Sequence, residues 1–254
     1  MRVFLRQSTQ FNRLDALENP SKNLKILLRE RFRFLRDNLE SGDLVLEIGA
    51  GIGAVSRYLE EIDLLMTDIE ENPWLDAVVG AEDLPFPEKS FDAVICIAAL
   101  HHMDHPIRAI KEMTRVLKHG GVLLVMEVHT SWILRLVLLL TRHEYIDQSV
   151  DPFGPESCQS RTGDNWDGNN AIGDLIFSDF SRLEKAIPQL ECVGHRYVEC
   201  LLFLNSGGVN FKAPYIPLPE LILNWIVRID SMICRLAPRI FAIPQEFVFR
   251  KRNF

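Results

Sequence analysis

Apolar and polar residues follow two periods along this chain, one typical of helices and one typical of buried strands. Residues 21–39 carry leucines and phenylalanines at helical spacing, which predicts a helix. Short apolar runs predict five strands, at residues 44–48, 63–68, 77–79, 91–97 and 122–128. The run at 91–97 is unbroken, as expected for a strand that is covered on both faces.

Helical patterns separate these strands. Residues 54–61 are predicted to be helical, and Pro106 lies where the first turn of the next helix begins. The paired residues Gly120 and Gly121 are predicted to stop that helix. Strands that alternate with helices over 44–128 predict a parallel α/β sheet with right-handed crossovers.

The pattern changes after residue 130. Residues 146–171 are rich in Asp, Asn, Gly and Pro and predict a long polar loop, a type of segment that is often functional. A helix at 173–187 and a strand-like segment at 191–204 follow. Three prolines introduce an amphipathic helix at 220–236, and the last strand is predicted at 246–250.

These elements predict four segments. They are an N-terminal helical cap at 1–40, an α/β domain at 41–204, a helical cap insertion at 205–244 and the final strand of the α/β domain at 245–254.

Composition narrows the class of protein. The 254 residues are 47% hydrophobic and 25% charged, which is typical of a globular chain. A net charge of −7 argues against a nucleic-acid partner. Five scattered cysteines without a Cys-x-x-Cys pair favour a reducing compartment, so a cytoplasmic location is expected. One group of basic residues at helical spacing is interpreted as a solvated helix face, with an anion-binding or membrane-binding patch as the alternative: Lys22, Lys25, Arg29, Arg31, Arg33 and Arg36.

Two segments bear on membranes. Arg2 and Arg6 are not followed by an apolar stretch, so no signal peptide is expected. The apolar run 132–140 is too short to span a bilayer and contains Arg135. Contact with a membrane surface is possible but not favoured. This run and helix 220–236 fit a lid or docking surface for a lipid-bearing acceptor, but such stripes more often form the core of a cap.

The first strand runs into a glycine-rich turn with Gly49, Gly51 and Gly53. Glycine is required where the backbone needs a positive φ or where a ligand lies against the main chain. Asp68 follows nineteen positions after Gly49, at the end of the second strand, where a carboxylate can accept both ribose hydroxyls of a nucleoside. Residues 49–54 also satisfy the pattern G-x-G-x-x-A, so a nicotinamide oxidoreductase is an alternative.

Six segments in order resemble the class I S-adenosylmethionine-dependent methyltransferases, in the type 11 branch that includes the ubiquinone and menaquinone methyltransferases. They are residues 45–53, 67–68, 81–87, 90–94, 99–102 and 115–121. The resemblance implies a Rossmann-like fold, with a mostly parallel seven-stranded sheet flanked by helices. It also implies S-adenosyl-L-methionine as the cofactor and a small-molecule acceptor.

The same resemblance assigns the residues of the cofactor site. Gly49, Gly51 and Gly53 would line the methionine and ribose portion, and Asp68 would bind the ribose diol. Glu47 would stabilise the turn and the amino end of the cofactor. The remaining contacts would come from Ala81 and Glu82 beside the adenine, and from Ile97 and Leu100 beside the methyl-bearing sulfur. Gly80 departs from the pattern, since many relatives carry an acidic or amide residue there, so Asp83, Glu82 or main-chain atoms would replace that contact.

The paired residues His101 and His102 follow the fourth strand, at the sheet edge where ligands bind in open α/β folds. A histidine near its own pKa can accept a proton from a hydroxyl acceptor, so either is a candidate catalytic base. Packing against the cofactor is the alternative role. Glu127 and His129, at the end of the fifth strand, are further candidates.

A metal site is not expected at these histidines. His102, Asp104 and His105 match the end of an H-x-H-x-D-H signature, but Leu100 occupies the position of its first histidine.

The acceptor is predicted from the segments after residue 130. The polar loop and the histidines favour methylation of a hydroxyl oxygen on a sugar or natural-product scaffold. The apolar cap segments favour an alternative function, carbon methylation of a quinone-like or lipid acceptor. A further alternative is a protein that binds S-adenosyl-L-methionine without catalysing methyl transfer.

Overall fold

The computed structural model describes residues 18–59, 61–141, 144–159, 168–209 and 213–253. The strands are β1 (Leu44–Ile48), β2 (Asp63–Asp68), β3 (Ala77–Val78), β4 (Phe91–Ile97), β5 (Leu117–Val128), β6 (Leu190–Tyr197) and β7 (Pro244–Lys251). The described α-helices are α1 (Lys22–Arg31), α2 (Arg33–Arg36), α3 (Pro106–Val116), α4 (Trp132–Thr141), α5 (Ile172–Phe177), α6 (Phe180–Ala186), α7 (Leu201–Leu204), α8 (Glu220–Leu236) and α9 (Pro238–Phe241). Short 3-10 turns lie at Val55–Tyr58 and Leu100–His102.

All seven strands form one sheet in the order β3-β2-β1-β4-β5-β7-β6. The strands β1 to β5 pair in parallel, and β7 pairs antiparallel with both β5 and β6. The predicted mostly parallel seven-stranded sheet is therefore confirmed. The chain leaves β1 toward β2 on one side and reaches β4 on the other, so the strand order reverses between β1 and β4. Open α/β sheets bind ligands outside the carboxyl ends of the strands at such a point.

Apolar side chains cover both faces of the sheet. In β4, Val94 and Cys96 pack on the face that holds α3, α5 and α6, while Ala93 and Ile95 pack on the opposite face. This alternation follows from the two-residue period of a strand. The opposite face is covered by α1, α2 and part of the predicted cap insertion, which contributes Leu223 of α8. The predicted N-terminal cap and insertion thus pack against one another and the same sheet face.

Several predicted boundaries were wrong. In place of the helix predicted at 54–61, the described residues of this segment contain the short 3-10 turn Val55–Tyr58. The predicted helix 173–187 is divided into α5 and α6, because the Asp179 carboxylate accepts from the N–H groups of Ser181 and Arg182 and starts a new helix. The strand-like segment 191–204 ends at Tyr197, and its last residues form α7.

The glycine pair at 120–121 lies inside β5 instead of ending α3, which stops at Val116. The pairing of β4 with β5 shifts register between Phe91 and Ala93, opposite this segment. A Cβ at Gly121 would lie 2.7 Å from the carbonyl oxygen of Asp92, so glycine is required for the close approach of the two strands.

The predicted solvated basic face is correct for five of its six residues. Lys22, Lys25, Arg29, Arg33 and Arg36 are exposed. Arg31 is instead largely buried and forms an ion pair with Glu199. A helical period cannot distinguish this arginine from its neighbours, because its carboxylate partner lies 168 residues away in sequence. In the part of the chain that the structure describes, no helix is both long and apolar enough to cross a membrane.

Candidate active site

A cleft of about 660 Å³ opens at the carboxyl ends of β1, β2 and β4, where the strand order reverses. Its floor is formed by the glycine turn after β1, by the end of β2 and by the segment after β4. The helix α1 and Val209 supply an apolar wall. The sequence-predicted site residues that line the cleft are Glu47, Gly49, Gly51, Asp68, Ala81, Glu82, Ile97, His101 and His102.

The glycine turn presents its backbone to the cleft. Gly49 has φ +72°, and a Cβ there would lie only 2.6 Å from the Cβ of Ala99. A side chain at this position would therefore be both strained and blocked. Gly51 has φ +52° and faces open space, so the main chain is directly accessible to a ligand. Gly53 also has a positive φ but packs on Trp74 and does not line the cleft.

The carboxylate of Asp68 closes the turn from the end of β2. It accepts hydrogen bonds from the N–H of Gly51 (2.8 Å) and the N–H of Glu70 (2.9 Å). A carboxylate has about four acceptor positions, so two are left for hydroxyl groups in the cleft. Asp68 therefore both positions the glycine turn and offers the acceptors that a ribose diol requires.

Glu47 places a second carboxylate at the base of the cleft. The residue is buried in β1, and its Oε2 has no hydrogen-bond partner among the described residues. Burial, followed by the negative charge of Asp68, raises the pKa of Glu47 from 4.5 to about 8. A buried carboxyl group with a raised pKa and an unpartnered oxygen can bind a cationic ligand, because the cation stabilises the ionised form of the group.

The predicted adenine side of the cleft is lined by residues 79–83. Glu82 is held in place, because its Oε1 accepts from the N–H of His105 (2.9 Å) and its carbonyl oxygen accepts from Arg108 (2.9 Å). No atom of the described residues lies within 4 Å of a Cβ built on Gly80, so this departure from the family pattern leaves space there. Asp83 lines the same part of the cleft.

Of the two residues that were predicted to border the sulfur, Ile97 and Leu100, only the first lines the cleft. Ile97 lines the cleft, and the next residue, Ala98, has φ +49°, an uncommon value for a residue with a Cβ. Leu100 does not line the cleft. Its side chain is fully buried in the core between the sheet and α3, because the 3-10 turn Leu100–His102 directs its first residue inward.

His101 and Glu127 form a buried pair beside the cleft. The Nδ1 atom of His101 lies 2.5 Å from Oε1 of Glu127, and the His101 N–H donates to Oε2 of the same carboxylate (3.3 Å). Burial lowers the pKa of His101, but the charge and hydrogen bond of Glu127 outweigh it, so the net pKa lies above 6.5. The Nε2 atom is the ring nitrogen left for a substrate, an arrangement that suits a general base.

The ring of His102 contacts that of His101 at a tilt, with centroids 4.1 Å apart and planes at 41°, and it also lines the cleft. Together with Glu144 these histidines offer ligand atoms that lie within 4.8 Å of one another. Sequence reasoning did not find Glu144, which reaches the cleft from the segment after α4 and carries no local motif. The predicted absence of a metal stays a prediction.

The described residues of the predicted polar loop, 146–159 and 168–171, do not line the cleft. Asn169 and Asn170 are buried, and their amides bind the chain at residues 144–147. Asn169 also donates its N–H to the carbonyl oxygen of His101 (2.8 Å), so the loop supports the histidine pair. Residues 160–167, which include Trp166, lie outside the described residues.

Two comparisons of the sequence with known proteins agree with this geometry. Residues 46–125 match a family model described as a methyltransferase domain. The ubiquinone/menaquinone biosynthesis C-methyltransferase UbiE of Chromobacterium violaceum is 34% identical over 122 residues, which cover 41% of this chain and 50% of that protein. The mouse protein named probable tRNA methyltransferase 9B is 36% identical over 104 residues, 37% of this chain and 23% of that protein. The chain thus spans half or less of the length of these relatives.

Solved structures share the fold. A SAM-dependent methyltransferase from Archaeoglobus fulgidus superposes with a TM-score of 0.53 at 15% identity, covering 89% of this chain and 93% of that chain. One from Methanosarcina mazei gives 0.51 at 18% identity, covering 87% and 98%. The predicted fold and the family resemblance of the central segments are therefore confirmed.

Proposed function

We propose, from the premise that residues 46–125 form a methyltransferase domain, that the protein transfers the methyl group of S-adenosyl-L-methionine to a small-molecule acceptor. The observation that carries the proposal is Glu47 Oε2, which is buried at the cleft without a partner among the described residues. An unpaired buried carboxylate is costly, whereas pairing with a cation offsets that cost. The amino end of the cofactor is such a cation, and its sulfonium centre supplies an activated methyl group.

The other residues of the cleft have corresponding roles. Asp68 would accept the ribose hydroxyls, and the exposed backbone at Gly51 would lie against the ligand. Ala81 and Glu82 would flank the adenine, and Ile97 would border the sulfur. Gly53 and Leu100, which do not line the cleft, would support this surface from behind.

His101 would remove a proton from the acceptor. Its Nδ1 faces Glu127, which fixes the ring and stabilises the imidazolium that forms when Nε2 takes the proton. His102 lies in ring contact with it and would help to position the acceptor. Alignment of the acceptor and exclusion of water are the other requirements of an in-line methyl transfer.

The acceptor class we favour is a hydroxyl on an apolar natural-product scaffold. Leu24, Leu28 and Phe32 form one wall of the cleft, and an apolar wall suits a hydrophobic ring better than a sugar. Carbon methylation of a quinone-like or lipid acceptor is the second candidate. It is supported by the name of the Chromobacterium violaceum relative and also fits a wall of this kind.

Calorimetric titration with S-adenosyl-L-methionine tests the cofactor. Because burial raises the pKa of Glu47 to about 8, pairing with a cation should release a proton near neutral pH. The measured heat should therefore change with the ionisation enthalpy of the buffer, and this dependence should disappear in Glu47→Gln. No binding at millimolar cofactor would contradict the proposal, and binding of NADPH instead would favour the oxidoreductase alternative.

Incubation of metabolite extracts with the protein and methyl-labelled cofactor tests the acceptor. Mass spectrometry should detect a labelled product, and its fragmentation distinguishes an oxygen-bound from a carbon-bound methyl group. Cofactor binding without any labelled product would favour the non-catalytic alternative.

A further inference from the structure

We propose that the protein binds the surface of an anionic phospholipid bilayer through one apolar face formed by α4, α8 and α9. The face consists of Trp132, Leu136, Leu139, Leu140, Leu221, Ile222, Trp225, Ile229, Met232, Leu236 and Ile240, all of which are exposed. The proposal does not depend on methyl transfer, because vesicle binding can be measured without cofactor or acceptor.

The helix α8 presents its apolar residues outward in one stripe. Leu221, Trp225, Ile229, Met232 and Leu236 follow one another at intervals of four, four, three and four residues, which places them on one side of the helix. Leu221 is 72% exposed and Leu236 is 76% exposed. The opposite side already packs on the protein through Leu223 and Cys234, so this stripe is additional to the helix's contribution to the core.

The helix α4 repeats this arrangement. Leu134 is its buried residue, whereas Trp132 and Leu140 are 74% and 75% exposed. Ile133 of α4, Ile233 of α8 and Phe241 of α9 pack around one small core with Cys200, Cys234 and Ala242. Because α9 contacts both α4 and α8, the three helices pack together around this core. Contiguous apolar surfaces of this kind are uncommon on proteins without a partner.

The charges on these three helices are almost all positive. Arg135, Arg228, Arg235 and Arg239 are exposed, in a chain whose net charge is −7. Arg228 and Arg235 lie seven residues apart, on one flank of the α8 stripe. Glu220, the first residue of α8, is the one exposed carboxylate within these three helices. This concentration of arginines around an apolar face complements anionic lipid headgroups.

Asp230 does not alter this charge pattern, because it is turned into the protein. Its two carboxylate oxygens accept the N–H groups of Leu201 and Leu202 at the start of α7 (2.8 and 2.9 Å).

A second copy of the chain is the alternative partner that could cover this apolar face. A symmetric dimer would apply the same face of α8 to itself and would bring Arg228 and Arg235 of both copies together. The exposed acid within these helices, Glu220, lies at the far end of α8 and already faces Arg29 (3.8 Å). A bilayer places the same arginines at the headgroups and the tryptophans at the interface, where they are enriched. The charge pattern thus favours a lipid surface.

Flotation of the full chain with vesicles tests this proposal. The protein should float with vesicles of phosphatidylcholine and phosphatidylglycerol, bind less to phosphatidylcholine alone, and dissociate from the mixed vesicles as salt is raised. Leu221→Ser combined with Trp225→Ser should lower vesicle binding by about tenfold or more, since both side chains leave water on binding. Arg228→Gln combined with Arg235→Gln should lower it by roughly fivefold per arginine, on the mixed vesicles only.

The matched control is Val193→Ser, which removes an exposed apolar side chain from β6, outside the face, and should leave binding unchanged. Unchanged thermal melting of each variant shows that the fold is intact. Absence of flotation with mixed vesicles, or equal flotation of the double serine variant, would overturn the proposal. So would a dimer that the serine substitutions dissociate in sedimentation experiments without lipid.

Discussion

Two histidine–carboxylate pairs lie at the carboxyl edge of the sheet and have nearly the same local geometry. In the first, Nδ1 of His101 is 2.5 Å from Glu127, and in the second, Nδ1 of His129 is 2.7 Å from Asp174. In the first pair, His101 lines the cleft beside β4, next to the reversal of strand order, and Glu127 is buried behind it. The second lies beyond β5, outside the cleft, where the ring of Tyr197 packs on His129 at 4.7 Å.

The comparison shows that pairing with a carboxylate does not by itself identify a catalytic histidine. Asp174 also accepts from the N–H and hydroxyl of Thr130 and from the side chain of Gln245, so it joins β5, β7 and α5. These contacts give the second pair a structural role. The first pair differs because its histidine borders a space that a substrate can enter.

The largest difference should appear in catalysis. His101→Asn should lower kcat by about a hundredfold to ten-thousandfold, the usual contribution of a general base. His129→Asn should leave kcat close to that of the unmodified protein. Steady-state kinetics on the acceptor found by mass spectrometry measures both, with cofactor affinity as the check on folding. Equal losses in the two variants would remove the distinction between the pairs.

Cofactor affinity should depend on Asp68 and not on the second pair. Asp68→Ala removes the acceptors for the ribose and the hydrogen bonds to Gly51 and Glu70, so affinity should fall by about 1–3 kcal/mol. Asp174→Asn should leave affinity unchanged. Calorimetric titration compares the two variants, and an unchanged affinity in Asp68→Ala would exclude this residue from the site.

The free energy of unfolding, in contrast to cofactor affinity, should depend on Asp174 in the second pair. Asp174→Asn should lower the free energy of unfolding by about 1–2 kcal/mol, because one oxygen no longer accepts and partly buried donors lose a partner. His129 and Thr130 lower the pKa of Asp174 although burial raises it, so its stabilising effect is lost as the pH falls through that lowered pKa. Urea unfolding at neutral and acidic pH tests both statements. A variant as stable as the parent at neutral pH would contradict them.

The smallest expected effect is on the pH dependence of catalysis. Glu127 holds the pKa of His101 above 6.5 against the effect of burial, so kcat/KM should rise with pH and level off above that pKa. Glu127→Gln removes the negative charge and should move the rise to lower pH. The raised pKa of His101 also contributes to the free energy of unfolding at low pH, where the histidine is protonated. This contribution is lost as the pH rises through the pKa of His101 in the folded protein. A pH profile that does not move in Glu127→Gln would separate Glu127 from the base.

Local sequence patterns were most informative around the sheet. The strands at 44–48, 63–68 and 91–97 are found as predicted. In the first and the last of these, most residues are buried, as a mainly apolar run predicts for a strand that is covered on both faces. Predictions after residue 130 were less accurate. The division between α5 and α6 depends on one capping contact of Asp179, and the helix α7 depends on its contact with the buried Asp230.

The sequence by itself determined the central strands of the sheet, the glycine turn at 49–53 and the position of Asp68, because each follows from a period or from the spacing between β1 and β2. Tertiary structure decided that His101 pairs with Glu127 and that His129 pairs with Asp174. It also decided which arginine of α1 is buried and how Glu144 reaches the cleft. These features join residues such as Arg31 and Glu199 that are far apart along the chain. Their meeting depends on how helices pack on the sheet, which no local period specifies.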